Sequence, residues 1–355
     1  MLRAAYRQLR TFLQLTRARG HGRLRGLLLE LPLALAARGW RAGAGWVNSR
    51  VLAPALNPGL LRRFHRGHSG MLADHFYVIV MPDTLHYLAP CLRQLPESVP
   101  VILLFNGAAR WERRWLRREF PGRPAHRLRA LPRSSISHGG VISLLLRCNE
   151  GSFGLLDHDL YVFDPGIFQR LSLREGQCMK AVFRDTSQRT GLVYPHTWFL
   201  FLNAPLLRDL MRRHRVSARI YRREPARLRR PLAVLGLGGG TYLKDYLDFF
   251  DTLQLLLALA WSEGAEVAWE EIAPGALSHL GGTSIGSLGT KDLGHLYMSL
   301  RFLEAADDAE LREHYLPRHA PFTASLEIRA RLPQTPEVAD MLRGLDDMLS
   351  RLARD

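Results

Sequence analysis

"HGGVISLLLRCNEGSFGLLDHDLYVF", residues 138–163, reads as a helix, a break, and a short apolar strand that ends on two carboxylates. The helix opens at His138, Gly139 and Gly140. After Gly151 the run Phe153 to Leu156 leads into Asp157, His158 and Asp159. In a strand, side chains i and i+2 project to the same side, so Asp157 and Asp159 can aim at one spot. Two like charges held there repel unless they are solvated, protonated or neutralised by a cation. Hard divalent ions such as Mg²⁺ or Mn²⁺ suit such oxygen ligands and keep positions free for substrate phosphates. A lone D-x-D is commonly a solvated turn. This one closes the third strand of a series, where α/β sheets gather their ligands.

The two earlier strands are "YVIVMPDT" (77–84) and "VPVILLFNG" (99–107). Each is a short apolar run bounded by turn residues, as for strands buried on both faces. Helical stretches follow both, the second around Trp111 to Phe120. Strands alternating with helices at this spacing predict an α/β fold with a parallel sheet. Further on, "PHTWFLFLNAPLLRDLMRRH" (195–214) combines an aromatic run with a helix. Residues 232–264 read as a turn and then a long helix, "AEVAWEEI" as a strand, and "ASLEIRARL" (324–332) as one more. The C-terminus (337–355) is an amphipathic helix with Val338, Met341, Leu342, Leu345, Leu349 and Leu352 on one face.

The charge balance is unusual. The 355 residues hold 49 basic and 33 acidic side chains, a formal net charge of +16, with 47% hydrophobic residues. That apolar fraction supports a sizeable core and argues against wholesale disorder. Residues 1–70 carry many Arg and one acid, Glu30, and further Arg clusters lie at 110–133 and 212–230. Such fields attract phosphates of nucleic acids, lipids or nucleotides; an Arg-favouring codon bias accounts for the same excess. Leu2, Tyr6, Leu9 and Leu13 share a face bordered by Arg3, Arg7 and Arg10, a basic amphipathic helix suited to an anionic membrane or to the body of the protein. An Arg-rich, acid-poor start also fits an organelle transit peptide. No apolar run is long enough to span a membrane. Cys91, Cys148 and Cys178 match no metal or redox spacing, so a reducing compartment is expected.

The order of "YVIVMPDT", "VPVILLFNG" and "HGGVISLLLRCNEGSFGLLDHDLYVF" resembles the nucleotide-sugar half of a GT-A-type glycosyltransferase. The resemblance spans about residues 74–290 and is better up to 170 than beyond. It implies a Rossmann-type, mostly parallel sheet flanked by helices at 71–300, between an Arg-rich helical N-terminal extension (1–70) and a mostly helical C-terminal tail (301–355). The implied activity is transfer of a sugar from a nucleotide-diphosphate donor to a glycan or lipid-linked acceptor, such as a cell-envelope polysaccharide. Asp157 and Asp159 would hold Mg²⁺ or Mn²⁺ on the donor diphosphate, with Asp157 also reaching the donor. Pro82, Asp83 and Asn106, at the ends of the first two strands, would line the base and ribose site. A later histidine often completes such a metal site, and "SHLGGTS" (278–284) offers His279; a loop histidine capping a turn is the competing reading. His138 caps its helix or touches the donor. Residues 194–205 offer His196, Trp198 and Asn203 to an acceptor, or simply to packing.

No base motif stands out. An inverting enzyme needs a carboxylate base beside the acceptor hydroxyl; "YLKDYLDFFDTLQ" (242–254) supplies Asp245, Asp248 and Asp251, of which Asp251 is the expected catalytic residue. A polar helix face explains the same residues. Two other functions compete. "AVLGLGGGTYL" (233–243), with its Gly236–Gly240 turn, has the outline of a nucleotide- or S-adenosylmethionine-binding βαβ unit and so of a methyltransferase, although Glu270 and Glu271 follow too late for a dinucleotide fingerprint. A non-enzymatic basic nucleic-acid binder would account for the charge, but no recognition motif is present and no specific nucleic-acid partner is expected. The expected location is cytoplasmic, with peripheral attachment at the inner face of a membrane.

Overall fold

A computed structural model of the chain describes residues 31–71, 74–132, 134–281, 283 and 293–354. The basic helix expected near the N-terminus and Gly282 lie outside these residues. Helix α1 (Leu31–Val47) passes through a π-helical turn (Asn48–Leu52) into α2 (Ala53–Gly67). The alternating units follow as β1 (Phe76–Val80), α3 (Leu85–Gln94), β2 (Val101–Phe105), α4 (Arg110–Glu119), β3 (Ala125–Arg127), α5 (His138–Cys148) and β4 (Phe153–Leu156). Next come β5 (Leu160–Val162), β6 (Gln177–Ala181), β7 (Arg184–Thr186), β8 (Val193–Pro195), β9 (Phe199–Leu202) and α6 (Ala204–Arg213). The remainder is α7 (Arg229–Ala233), α8 (Gln254–Ser262), β10 (Glu266–Trp269), β11 (Leu277–His279), α9 (Leu293–Ala306), α10 (Ala309–Tyr315), α11 (Ser325–Arg329) and α12 (Pro336–Leu352).

Seven strands form the central sheet in the order β10-β6-β9-β4-β1-β2-β3. β1 is parallel to β2 and β4, and β2 to β3. β9 runs antiparallel between β4 and β6, and β10 is parallel to β6. The α/β fold with a mostly parallel sheet and helical ends is therefore as expected. Its central strands β1, β2, β4 and β9 are buried throughout and carry no charged side chain, because both faces are covered. Phe76, Val78 and Val80 of β1 enter one core, and Tyr77 and Ile79 the other. Burying each such side chain stabilises the fold by about 1.5–3 kcal/mol. The C-terminal helices complete the first core with Leu300, Phe302, Tyr315, Ile328 and Leu345.

Three local expectations need correction. Residues 232–264 do turn at Gly236–Gly240, where four glycines take positive φ, but the helix that follows is short: it spans Gln254–Ser262, with Leu253 before it in the left-handed region at φ 68°. "ASLEIRARL" contains a helix, not a strand; Glu327 accepts the Thr323 and Ala324 N–H groups at its start. Asp157–Asp159 form the turn between β4 and β5 and do not continue the strand.

A candidate metal and nucleotide site

The acids and a distant histidine meet because two short strands pair. β11 lies antiparallel to β5 with His279 opposite Leu160, the residue that follows Asp159. The Leu280 N–H donates to the Asp159 carbonyl at 3.2 Å. C-terminal α12 backs this ribbon: Arg351 donates to the Gly275 carbonyl at 2.6 Å and lies 3.5 Å over the Phe163 ring.

His279 Nε2 is thereby placed 3.3 Å from Asp159 Oδ1 and 3.7 Å from Asp157 Oδ2. One ligand atom from each residue lies within 4.8 Å of the others. Ligands side by side on an octahedral Mg²⁺ or Mn²⁺ at about 2.1 Å are about 3 Å apart, so small side-chain shifts fit this donor set to such an ion. Two carboxylates with one imidazole suit a hard to borderline divalent cation. The Asp159 side chain is only 3% exposed and that of Asp157 28%. Asp157 thus faces the opening, and Asp159 anchors the cluster.

Buried acid needs partners. Thr283 Oγ1 donates to Asp159 Oδ2 at 2.8 Å and therefore accepts from His158 Nε2 at 2.9 Å. Burial alone would raise the Asp159 carboxyl; His279, His158 and the Thr283 hydroxyl reverse that and hold it well below the usual range. Burial would lower the His279 imidazole, but hydrogen bonds to Asp157 and Asp159 push it up to about 9. Its ring stacks on Trp198 at 4.0 Å, and Trp198 stacks in turn on His196 at 4.4 Å. His158, Thr283 and this ring column were not singled out for the metal site from sequence. The D-x-D spacing carries no sign of a hydroxyl so far along the chain, although Thr283 does fall within the quoted "SHLGGTS".

At the carboxyl ends of β1, β2 and β3 lies a cavity of about 730 Å³. Pro82, Asp83, Gly107, Arg113, Arg127 and Arg318 are among its lining residues. Glu112 sets its floor: the buried carboxylate accepts the Asp83 N–H at 2.7 Å, the Ala109 N–H at 2.6 Å and the Tyr315 hydroxyl at 2.6 Å. Burial pushes the Glu112 carboxyl up, against the Tyr315 and Ala109 hydrogen bonds that favour its ionised form. The Asp83 side chain is ion-paired with Arg318.

Asn106 and His138 are not among the residues that line this cavity. Asn106 is fully buried; its amide donates to the Ile136 carbonyl and accepts the Ile136 N–H, each at 2.8 Å, so it is spent pinning that loop. Ser137, not His138, caps α5 by accepting from the Gly140 N–H, and His138 is the first helical residue. Asp251 is ion-paired with Lys244 at 2.6 Å, and Asp245 accepts from Ser187 and Gln188. Asp251 does not join the Asp157–Asp159–His279 group. The Gly236–Gly240 loop follows the short helix α7, not a strand, and no helix starts on it. It lacks the strand–turn–helix setting that a methyltransferase loop requires.

Residues 57–207 match the family model described as the StrH glycosyltransferase N-terminal domain. The expected resemblance to a glycosyltransferase is matched over these residues. No curated protein matches the sequence. Among solved structures, the chain is similar to a mannosyltransferase from Pyrobaculum calidifontis in complex with GDP-Man and Mn²⁺, at 12% identity over 92% of this chain and 96% of that one, with a TM-score of 0.33. It is also similar to S. aureus TarS 1–349 in complex with UDP-GlcNAc, at 7% identity over 79% and 84% of the two chains, TM-score 0.35. The glycosyltransferase GlyE of Streptococcus pneumoniae shares 12% identity over 69% and 53%, TM-score 0.33. Each likeness is faint. The family match supports a transferase, with the D-x-D turn and the strand ends that line the cavity inside the matched residues.

Proposed function

We propose that this glycosyltransferase-like protein moves a sugar from a nucleoside-diphosphate donor to a glycan or lipid-linked acceptor, using a divalent cation. The observation that carries the reading is the convergence of Asp157, Asp159 and His279 after β4, the parallel neighbour of β1, whose carboxyl end with that of β2 lines the cavity. Asp157, Asp159 and His279 would hold the cation, and Thr283 keeps Asp159 ionised and aimed. A cation bound there supplies the positive charge that stabilises the departing diphosphate. Pro82 and Asp83 face the base and ribose, and Arg113, Arg127 and Arg318 provide positive charge in the cavity wall. His138 is assigned no contact. Trp198 carries a ring on each face, so the outer face of His196, at the end of the stacked column, is the surface offered to an acceptor sugar.

The charge of Lys244, the ion-pair partner of Asp251, acts on His196, which supports assigning the pair to the acceptor side. Asp251 is proposed as the group that takes the acceptor hydroxyl proton, once the acceptor displaces Lys244. The protein would work in the cytoplasm, peripherally at the inner face of a membrane, where lipid-linked acceptors lie.

The test is release of nucleoside diphosphate from a panel of nucleotide sugars with Mn²⁺. Turnover of at least one donor, lost with EDTA and in Asp159→Asn, is expected. Turnover that survives both treatments, or none with any donor, would overturn the reading.

A further inference from the structure

Helix α1 is out of place in water. From Pro32 to Gly43 every described side chain is exposed, yet the segment is "PLALAARGWRAG". Leu33 is 71% exposed, Leu35 49%, Trp40 57% and Trp46 62%. At about 100° per residue, Leu33 and Trp40 share one side of the helix, and Leu35 and Trp46 the opposite side. A helix that is apolar on both sides is ordinarily covered by something. Val51 and Leu56 extend the patch, so six of the eleven large exposed hydrophobics among the described residues fall between positions 33 and 56.

The charge of the segment says what covers it. Residues 31–71 carry Arg38, Arg41, Arg50, Arg62, Arg63 and Arg66 and neither Asp nor Glu. The thirty residues before them add more Arg and the single acid Glu30. Apolar and indole side chains amid Arg of one sign are complementary to the headgroup region of an anionic bilayer. A second copy of this chain would bring the same positive field against itself. No described helix is long and apolar enough to cross a membrane, which leaves a position in the interface.

The far end of the helix is fastened to the catalytic body. Asn48 donates to Ser134 Oγ at 2.8 Å and accepts the Leu131 N–H at 2.8 Å; Ser49 accepts the Ser137 N–H at 2.9 Å. Leu131 and Ser134 line the 730 Å³ cavity. We propose that α1 docks in the headgroup layer of an anionic lipid bilayer and, through Asn48 and Ser49, holds the cavity at the membrane surface. Docking stands on the exposed helix alone; only its use in reaching a lipid-linked acceptor rests on the proposed transfer activity.

The experiment is co-sedimentation of the full chain with phosphatidylcholine vesicles, with and without phosphatidylglycerol. Wild type should bind the anionic vesicles, weaken as salt rises, and show a blue-shifted tryptophan emission. The double variant Leu33→Glu/Trp40→Glu should lose about tenfold or more of that affinity while keeping its melting temperature and its Mn²⁺-dependent nucleotide binding. Wild type that ignores anionic vesicles at low salt, or a double variant that binds as well as wild type, overturns the proposal. So does a concentration-dependent dimer abolished by the same variant, which would give the face to a second copy. Lost nucleotide binding with retained vesicle binding would count against the transfer reading only.

Discussion

His279 Nε2 lies 3.3 Å from Asp159 Oδ1 although the two residues come from opposite halves of the chain. The link is the β5–β11 ribbon, in which Leu160 and His279 are paired across the strands. A buried carboxylate, a second one at the opening and an imidazole are thus fixed by backbone pairing and not by flexible loops. Removal of charge at Asp159 should therefore act on the cation and not on the fold's outline.

Thr283→Val keeps the shape of the side chain and removes its hydroxyl. Asp159 Oδ2 and His158 then lose their shared partner. A cost of about 1–3 kcal/mol in stability and about tenfold in Mn²⁺ affinity is expected, with Thr283→Ser restoring most of both. Denaturant midpoints and metal titration check this, and an unchanged Thr283→Val would remove the hydroxyl from the site.

Trp198 holds the His279 ring by stacking from one side and meets His196 on the other. Trp198→Leu should lower Mn²⁺ affinity about tenfold with little change in the far-UV spectrum. If metal titration shows wild-type affinity, the ribbon alone orients His279.

Gly154 sits on β4 beside Phe76 of β1. A Cβ added there would be 1.9 Å from the Phe76 ring, which Phe168, Phe199 and Phe201 surround. Gly154→Ala should cost about 1–3 kcal/mol or more through overpacking. Adding Phe76→Leu should recover part of the loss, and the coupling is read from a double-mutant cycle of urea midpoints.

The runs at β1, β2 and β4 were legible because strands buried on both faces must be apolar throughout. Pairing was not: nothing in "FLFL" (199–202) announces that it inserts antiparallel between β4 and β6. The acids of 157–159 were legible as a pair but not as a turn, since an apolar run on each side looks continuous. His279 was one of two open readings because its placement depends on β11 pairing with a strand far earlier in the chain. Asn106 stood at the right strand end, but sequence does not say that Ile136 consumes its amide. The Gly236–Gly240 run looked like a phosphate loop because composition does not show what precedes it; here that is a short helix.

His126 of β3 packs on Phe64 of α2 at 5.0 Å between ring centroids. Burial, with the nearby His65 and Arg129, lowers its imidazole to about 4; burial lowers His65 as well. The unfolded chain, with His near 6.5, binds more protons between those values. Stability is thus fully present above about pH 6.5 and falls as pH drops toward 4, by on the order of 1 kcal/mol once solvent screening of the ring is allowed for. The difference between urea midpoints at about pH 7.5 and about pH 4.5 should shrink in His126→Gln. An unchanged difference would place the acid sensitivity elsewhere.

The central claim is that Asp157, Asp159 and His279 bind a cation which in turn holds a nucleoside diphosphate. Thermal denaturation of the full chain with UDP or GDP, with and without Mn²⁺, addresses it most directly. The account predicts a midpoint raised by about 2–4 °C only when nucleotide and metal are both present, and no rise in Asp159→Asn. An equal rise without metal, an undiminished rise in Asp159→Asn, or stabilisation by S-adenosylmethionine instead would contradict it.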